Sequence, residues 1–127
     1  MTPSVTPVLV VDDQAPFRAI ARTVVELTPG FAVVGEAETG EDAVRLAAAL
    51  SPTVVLMDIN LPGINGIEAT RRIVAAAPTT RVVLLSTYRE SDLPADALAS
   101  GARRYVHKED LEPGILIDAL GDQPVTG

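Results

Sequence analysis

Five short apolar runs, rich in Val and Leu, alternate along this chain with stretches of helical periodicity. This alternation constrains the fold more than any other feature. The runs occupy 8–11, 31–34, 54–57, 82–85 and 105–106. Each is too short for a helix, and none alternates with polar residues as a half-exposed strand would. Continuous apolar strands must be covered on both faces, which predicts a parallel sheet with helices on either side. The intervening stretches supply those helices. In the first, Phe17, Ile20, Ala21 and Val24 share one face while Arg18, Arg22 and Glu26 share another. Ala43, Leu46, Ala47 and Leu50 do the same in the second, and Thr70, Ile73, Val74 and Ala77 fit less cleanly in the third.

The punctuation agrees. Pro16 suits a first helical turn, where its missing N–H costs nothing. Thr39 with Asp42 resembles a capping box. Ser51 with Pro52, and Pro78, stop helices, and Gly101 suits the position just past one. Pro94 would break a helix interior, so the fourth helix is predicted to begin only around 91–93. A short last helix is predicted over 112–120, with Pro113 in its first turn. The pattern is (βα)₅, doubly wound, in one domain spanning 1–127. Its core covers about 7–120, and 1–6 and 122–127 are expected to be flexible ends.

Composition narrows the chemistry. The 127 residues contain no Cys and a single His, His107, so thiolate metal sites, cysteine nucleophiles and histidine-rich zinc centres are excluded. Net charge is −7, and the one Lys is Lys108. Without clustered basic residues, direct nucleic-acid binding by this chain is not expected. No apolar run reaches membrane-spanning length and no signal peptide is evident, so a cytoplasmic protein without membrane contact is expected.

In an open parallel sheet, ligands sit outside the carboxyl ends of the strands. The residues immediately after the runs are Asp12 and Asp13, then Asp58, then Ser86 and Thr87, then His107 and Lys108. Any one has an ordinary explanation: a helix cap for an Asp, a turn residue for Ser86, a solvated side chain for Lys108. Their joint occurrence at successive strand ends points to a site. Three converging carboxylates repel, and a hard divalent cation with oxygen ligands relieves this: Mg²⁺, Mn²⁺ or Ca²⁺. A cation beside a carboxylate, a hydroxyl and an ammonium can bind a phosphoryl group, and a carboxylate can itself attack phosphorus.

These residues also carry a resemblance. Val-Val-Asp-Asp at 10–13, Val-Leu-Met-Asp-Ile-Asn-Leu-Pro-Gly-Ile-Asn-Gly at 55–66, Leu-Leu-Ser-Thr at 84–87, and Gly101 and Ala102 through Tyr105 to Lys108 resemble the receiver domain of two-component response regulators. The resemblance covers about 7–120 and implies a flavodoxin-like five-stranded sheet of order 2-1-3-4-5. It implies that Asp58 is the phosphoacceptor, with Ser86 and Lys108 contacting the phosphoryl group. Mg²⁺ or Mn²⁺ would be held by Asp13, by Asp12 through water, by Asp58 and by the backbone carbonyl of Asn60. Ser86 and Tyr105 would form the switch. Asn60, Thr87 and Tyr88 lie where the family tunes dephosphorylation. Pro62 and Gly63 would centre a type II turn, with φ > 0 at Gly63.

The partner implied is a sensor histidine kinase or phosphotransfer protein. A homodimer could form on phosphorylation through the fourth helix, fifth strand and last helix. The domain would be no enzyme beyond self-catalysed phosphoryl transfer and slow autodephosphorylation. Its Asp-Asp-Gln and Tyr-Val-His-Lys segments are similar to the subfamily that often carries a helix-turn-helix output domain. Glu109 departs from the Pro that commonly follows the lysine, often through a cis bond, which leaves that loop's geometry open. Three other readings compete. A haloacid dehalogenase-type phosphatase would need an acid where Asn60 stands. A flavin carrier would place its phosphate against Asp12 and Asp13. A degenerate receiver acting only as a binding module would not need the full acid set.

Overall fold

The computed structural model describes residues 5–87 and 93–121. Five strands, β1 (Thr6–Val11), β2 (Phe31–Ala37), β3 (Val54–Asp58), β4 (Arg81–Ser86) and β5 (Arg104–His107), alternate with helices α1 (Ala15–Glu26), α2 (Gly40–Leu50), α3 (Gly66–Ala76), α4 (Ala95–Leu98) and α5 (Pro113–Gly121). All pairings between strands are parallel, in the order β2-β1-β3-β4-β5. The apolar runs build the centre: β3 is buried from end to end, as are the last four residues of β1 and the last five of β4.

Successive strand residues face opposite sides, so each run feeds two cores. Leu9, Val11, Val55, Met57, Val82 and Leu84 pack under α2, α3 and α4. Val8, Val10, Val54, Leu56, Val83 and Leu85 pack under α1 and α5 with Ala21, Val25 and Leu116.

The helix boundaries follow the local chemistry. Pro16 lies in the first turn of α1. Thr39 accepts from the Asp42 amide at 3.1 Å to start α2, and Asn65 accepts from the Glu68 amide at 2.9 Å to start α3. Three sequence expectations are corrected. Ile20 is 54% exposed, because the buried stripe of α1 runs through Ala21 and Val25. In α2, Leu50 is also exposed, at the helix end. The fourth helix begins after Pro94, which serves as its N-cap, instead of at 91–93. Of that expected start, 91 and 92 lie outside the described residues.

One close approach fixes the functional edge. Gly66 opens α3 against the carbonyl of Asp58, and a Cβ there would lie 2.0 Å from that oxygen and 3.0 Å from the Ile59 Cα. Both obstacles are backbone, so no side-chain rotation relieves the clash. Gly66→Ala is expected to cost about 3 kcal/mol, the upper end of ordinary overpacking. A urea midpoint unchanged by Gly66→Ala would contradict this packing.

Candidate functional site

Asp12, Asp13, Asp58, Ser86 and Lys108 all lie at the carboxyl edge of the sheet. The chain leaves β1 at Asp12, which is 1% exposed. Its carboxylate accepts from the Gln14 amide at 2.7 Å and from Lys108 Nζ at 2.7 Å. Asp13, one residue on, is exposed and lines the cleft above Asp58. Asp58 ends β3 and is 3% exposed. Its Oδ1 accepts from the Asn60 amide at 3.2 Å, and its Oδ2 lies 3.5 Å from Lys108 Nζ. Each carboxylate oxygen of Asp58 therefore faces a donor.

Burial, reinforced by the Asp12 carboxylate, pushes the Asp58 carboxyl up from 3.8 to about 6, against the opposing pull of Lys108. Oxygens of Asp12, Asp13 and Asp58 lie within 4.8 Å of one another. Hard oxygen donors with no Cys or His among them fit a hard divalent cation. A cleft of about 230 Å³, lined by Asp13, Gln14, Asp58, Asn60, Thr87 and Lys108, opens onto Asp58.

Lys108 reaches this cleft from the far side of the sheet. β5 ends at His107, and Lys108–Asp110 forms a short 3₁₀ turn in which the His107 ring accepts from the Glu109 amide at 3.2 Å. No peptide bond is cis among the described residues, so Glu109 replaces proline with an all-trans loop. Ser86 ends β4, is 3% exposed and pairs in register with His107. Thr87 is exposed at the cleft. Tyr105 is half-buried on β5 beside α4; burial raises its hydroxyl, and a hydrogen bond with Ser100 partly offsets this. Tyr88 lies outside the described residues.

In the loop after β3, Gly63 has the expected positive φ, +76°. It is also clasped from α2: Glu41 accepts from the Ile64 amide at 3.1 Å. Sequence reasoning missed Glu41, and it missed Arg18, whose Nη1 donates to the Asp12 carbonyl at 2.8 Å while Nε lies 3.5 Å from Glu36. The helical spacing of Phe17 marks it as a core residue. It packs on the core and also presents its ring 4.6 Å from Lys108 Nζ.

A family model described as the response regulator receiver domain matches residues 8–120. The chain belongs to this family. Response regulator UvrY of Escherichia coli is 44% identical over 101 residues, 80% of this chain and 46% of that protein. Response regulator GacA of Pseudomonas aeruginosa is 42% identical over 102 residues, 80% of this chain and 47% of that protein. The chain spans about half the length of these relatives. Among solved structures, the response regulator domain of Thermotoga maritima CheB superimposes with a TM-score of 0.83 at 34% identity, covering 97% of this chain and 99% of that one. The NarL signal receiver domain of Mycobacterium tuberculosis gives 0.82 at 31%, covering 94% and 99%. The chain is thus a signalling receiver of the response-regulator type, and the dehalogenase-type phosphatase reading falls away. No helix among the described residues is long and apolar enough to cross a membrane.

Proposed function

We propose that Asp58 is the phosphoacceptor of this receiver, taking a phosphoryl group from a sensor histidine kinase or phosphotransfer protein in the cytoplasm. The observation that carries the reading is its buried carboxylate, bridged to Asp12 by the Lys108 ammonium and lining an open cleft. An Asp58 oxygen attacks phosphorus; the O–P bond of an acyl phosphate forms as the P–N bond to the donor imidazole breaks, and the imidazole leaves with a proton from solvent. With its pKa near 6, Asp58 is mostly ionised at pH 7, as a nucleophile must be. Lys108 neutralises developing charge on the phosphoryl oxygens, and the Ser86 hydroxyl donates to one of them.

The acid cluster would hold Mg²⁺ or Mn²⁺, through Asp13, Asp58 and the Asn60 carbonyl, with Asp12 acting through water. When bound, the cation supplies positive charge to the phosphoryl oxygens. Asn60, Thr87 and Tyr88 tune the lifetime of the acyl phosphate. The domain is no enzyme beyond this transfer and slow autodephosphorylation. Its folded unit is the 7–120 core.

The phosphorylated site brings ~−2 charge and three acceptor oxygens, which draw in Ser86 and Lys108. Tyr105 then moves toward the space Ser86 leaves, altering the face of α4, β5 and α5, through which a homodimer forms. The greater length of the relatives, one of them named transcriptional regulatory protein DegU, supports an output in transcription. Incubation with acetyl phosphate and Mg²⁺ is expected to add one phosphoryl group by intact mass. Amide chemical shifts are expected to change out to β5 and α5. Changes confined to the loops around Asp58 would contradict the switch, and no mass gain would contradict the acceptor.

A further inference from the structure

The ammonium of Lys108 has three N–H donors and nothing that accepts. One reaches Asp12 Oδ2 at 2.7 Å, and a second faces Asp58 Oδ2 at 3.5 Å. The third side is closed by the ring of Phe17, whose centroid lies 4.6 Å from Nζ. That distance places the cation within range of the negative face of the ring. Phe17 is itself held. It sits in the first turns of α1, packs on the core beneath that helix, and is followed by Arg18, which ties α1 to the Asp12 carbonyl.

We infer that Phe17 is a positioning residue for Lys108: its ring face holds the ammonium over Asp58, and its electron density sets how fast the domain accepts phosphate. The effect on phosphate uptake rests on Asp58 being the phosphoacceptor. The choice of a ring follows from the charges present. Three carboxylates already share the site, and a fourth acid beside Lys108 would deepen their repulsion and compete for its donors. An aromatic face attracts the ammonium without adding a charge and leaves the N–H groups directed at oxygens. Lys108 extends from a 3₁₀ turn that also carries the exposed Glu109 and Asp110. Without the ring, its flexible stem is free to swing from the cleft toward them.

Three replacements at residue 17 test this. Pentafluorophenylalanine keeps the shape and reverses the charge of the ring face, Phe17→Leu removes the ring, and Phe17→Tyr retains it. Phosphorylation by acetyl phosphate is expected to slow by about 3- to 10-fold in the fluorinated and Leu proteins and to stay near wild type in Tyr. Without any phosphodonor, the Lys108 ammonium protons of the fluorinated protein are expected to exchange faster with water. Its ε-methylene signals are expected to lose their upfield ring shift. A fluorinated protein with wild-type Lys108 signals and wild-type rate would overturn the inference, as would equal losses in Tyr and Leu. The spectroscopic readout needs no phosphate, so a protein whose Lys108 signals respond while Asp58 stays unmodified would count against the phosphoacceptor alone.

Discussion

Asp58→Asn is expected to raise metal-free stability above pH 7 by about 3 kcal/mol, or roughly 10 °C in melting temperature. The folded protein holds the Asp58 carboxyl near 6, against 3.8 for a free one. Its stabilising proton is fully present in both states below about pH 4. As pH rises from 4 through 6, the unfolded chain releases that proton first and the folded chain is left at a disadvantage. Above 6 the carboxylate is ionised in both states, and its confinement beside Asp12 costs the full difference. Asn mimics the protonated acid, so the gap between the two proteins should open between pH 4 and 6 and then stay constant. Glu68 is shifted the opposite way, downward, chiefly by its hydrogen bond with Arg72. The difference between wild type and variant, measured by circular dichroism melts, isolates Asp58. Millimolar Mg²⁺ is expected to stabilise the wild type, by about 2.7 kcal/mol at a hundredfold excess over Kd, and to stabilise the Asn variant much less. A gap that is absent or independent of pH would contradict the electrostatics assigned to the site.

Lys108→Met is expected to act in the opposite direction. It leaves Asp12, 1% exposed, without the cation it meets at 2.7 Å. Removing one member of a buried pair costs about 3–5 kcal/mol, and partial solvent access to Lys108 puts the expected loss near about 3. Phosphorylation by acetyl phosphate should slow about 100-fold, the scale for losing one charge-stabilising donor. The double variant Asp58→Asn with Lys108→Met should be more stable than Lys108→Met alone, because one of the two stranded charges is gone. Urea denaturation of the four proteins gives the coupling directly. A Lys108→Met protein as stable as wild type would mean that the ammonium does not neutralise Asp12.

The two substitutions differ because the structure separates residues that sequence treats alike. Asp12 and Asp13 are adjacent acids after one strand, and on paper either could repel Asp58. In the structure Asp12 is buried against Lys108, while Asp13 is exposed at the mouth of the same cleft. Asp12 is the neighbour that raises Asp58. An Asp13→Ala variant should therefore relieve less repulsion than a simple three-acid cluster suggests.

The strands were legible because four-residue apolar runs have few other uses, and every one lies within a strand of the sheet. The strand order came from family resemblance, since periodicity does not specify neighbours. Contacts that depend on how separate elements meet left no local pattern. Phe17 keeps helical spacing whether or not a lysine lies above it. Arg18 reads as part of a polar helix face, yet bonds the Asp12 carbonyl. Glu41 looks like a first-turn acid, yet holds the Ile64 amide 23 residues away. Ile20 failed as a core residue because an apolar residue at the edge of a helical stripe is buried only if a neighbour covers it.

The role of the site is decided by which atom receives phosphate. Treating the phosphorylated protein with borohydride reduces an aspartyl phosphate to homoserine, and peptide mapping locates the converted residue. The expected result is conversion at position 58 alone, with no phosphoryl mass gain in Asp58→Asn. Conversion at Asp12 or Asp13, or a mass gain that persists in Asp58→Asn, would contradict it.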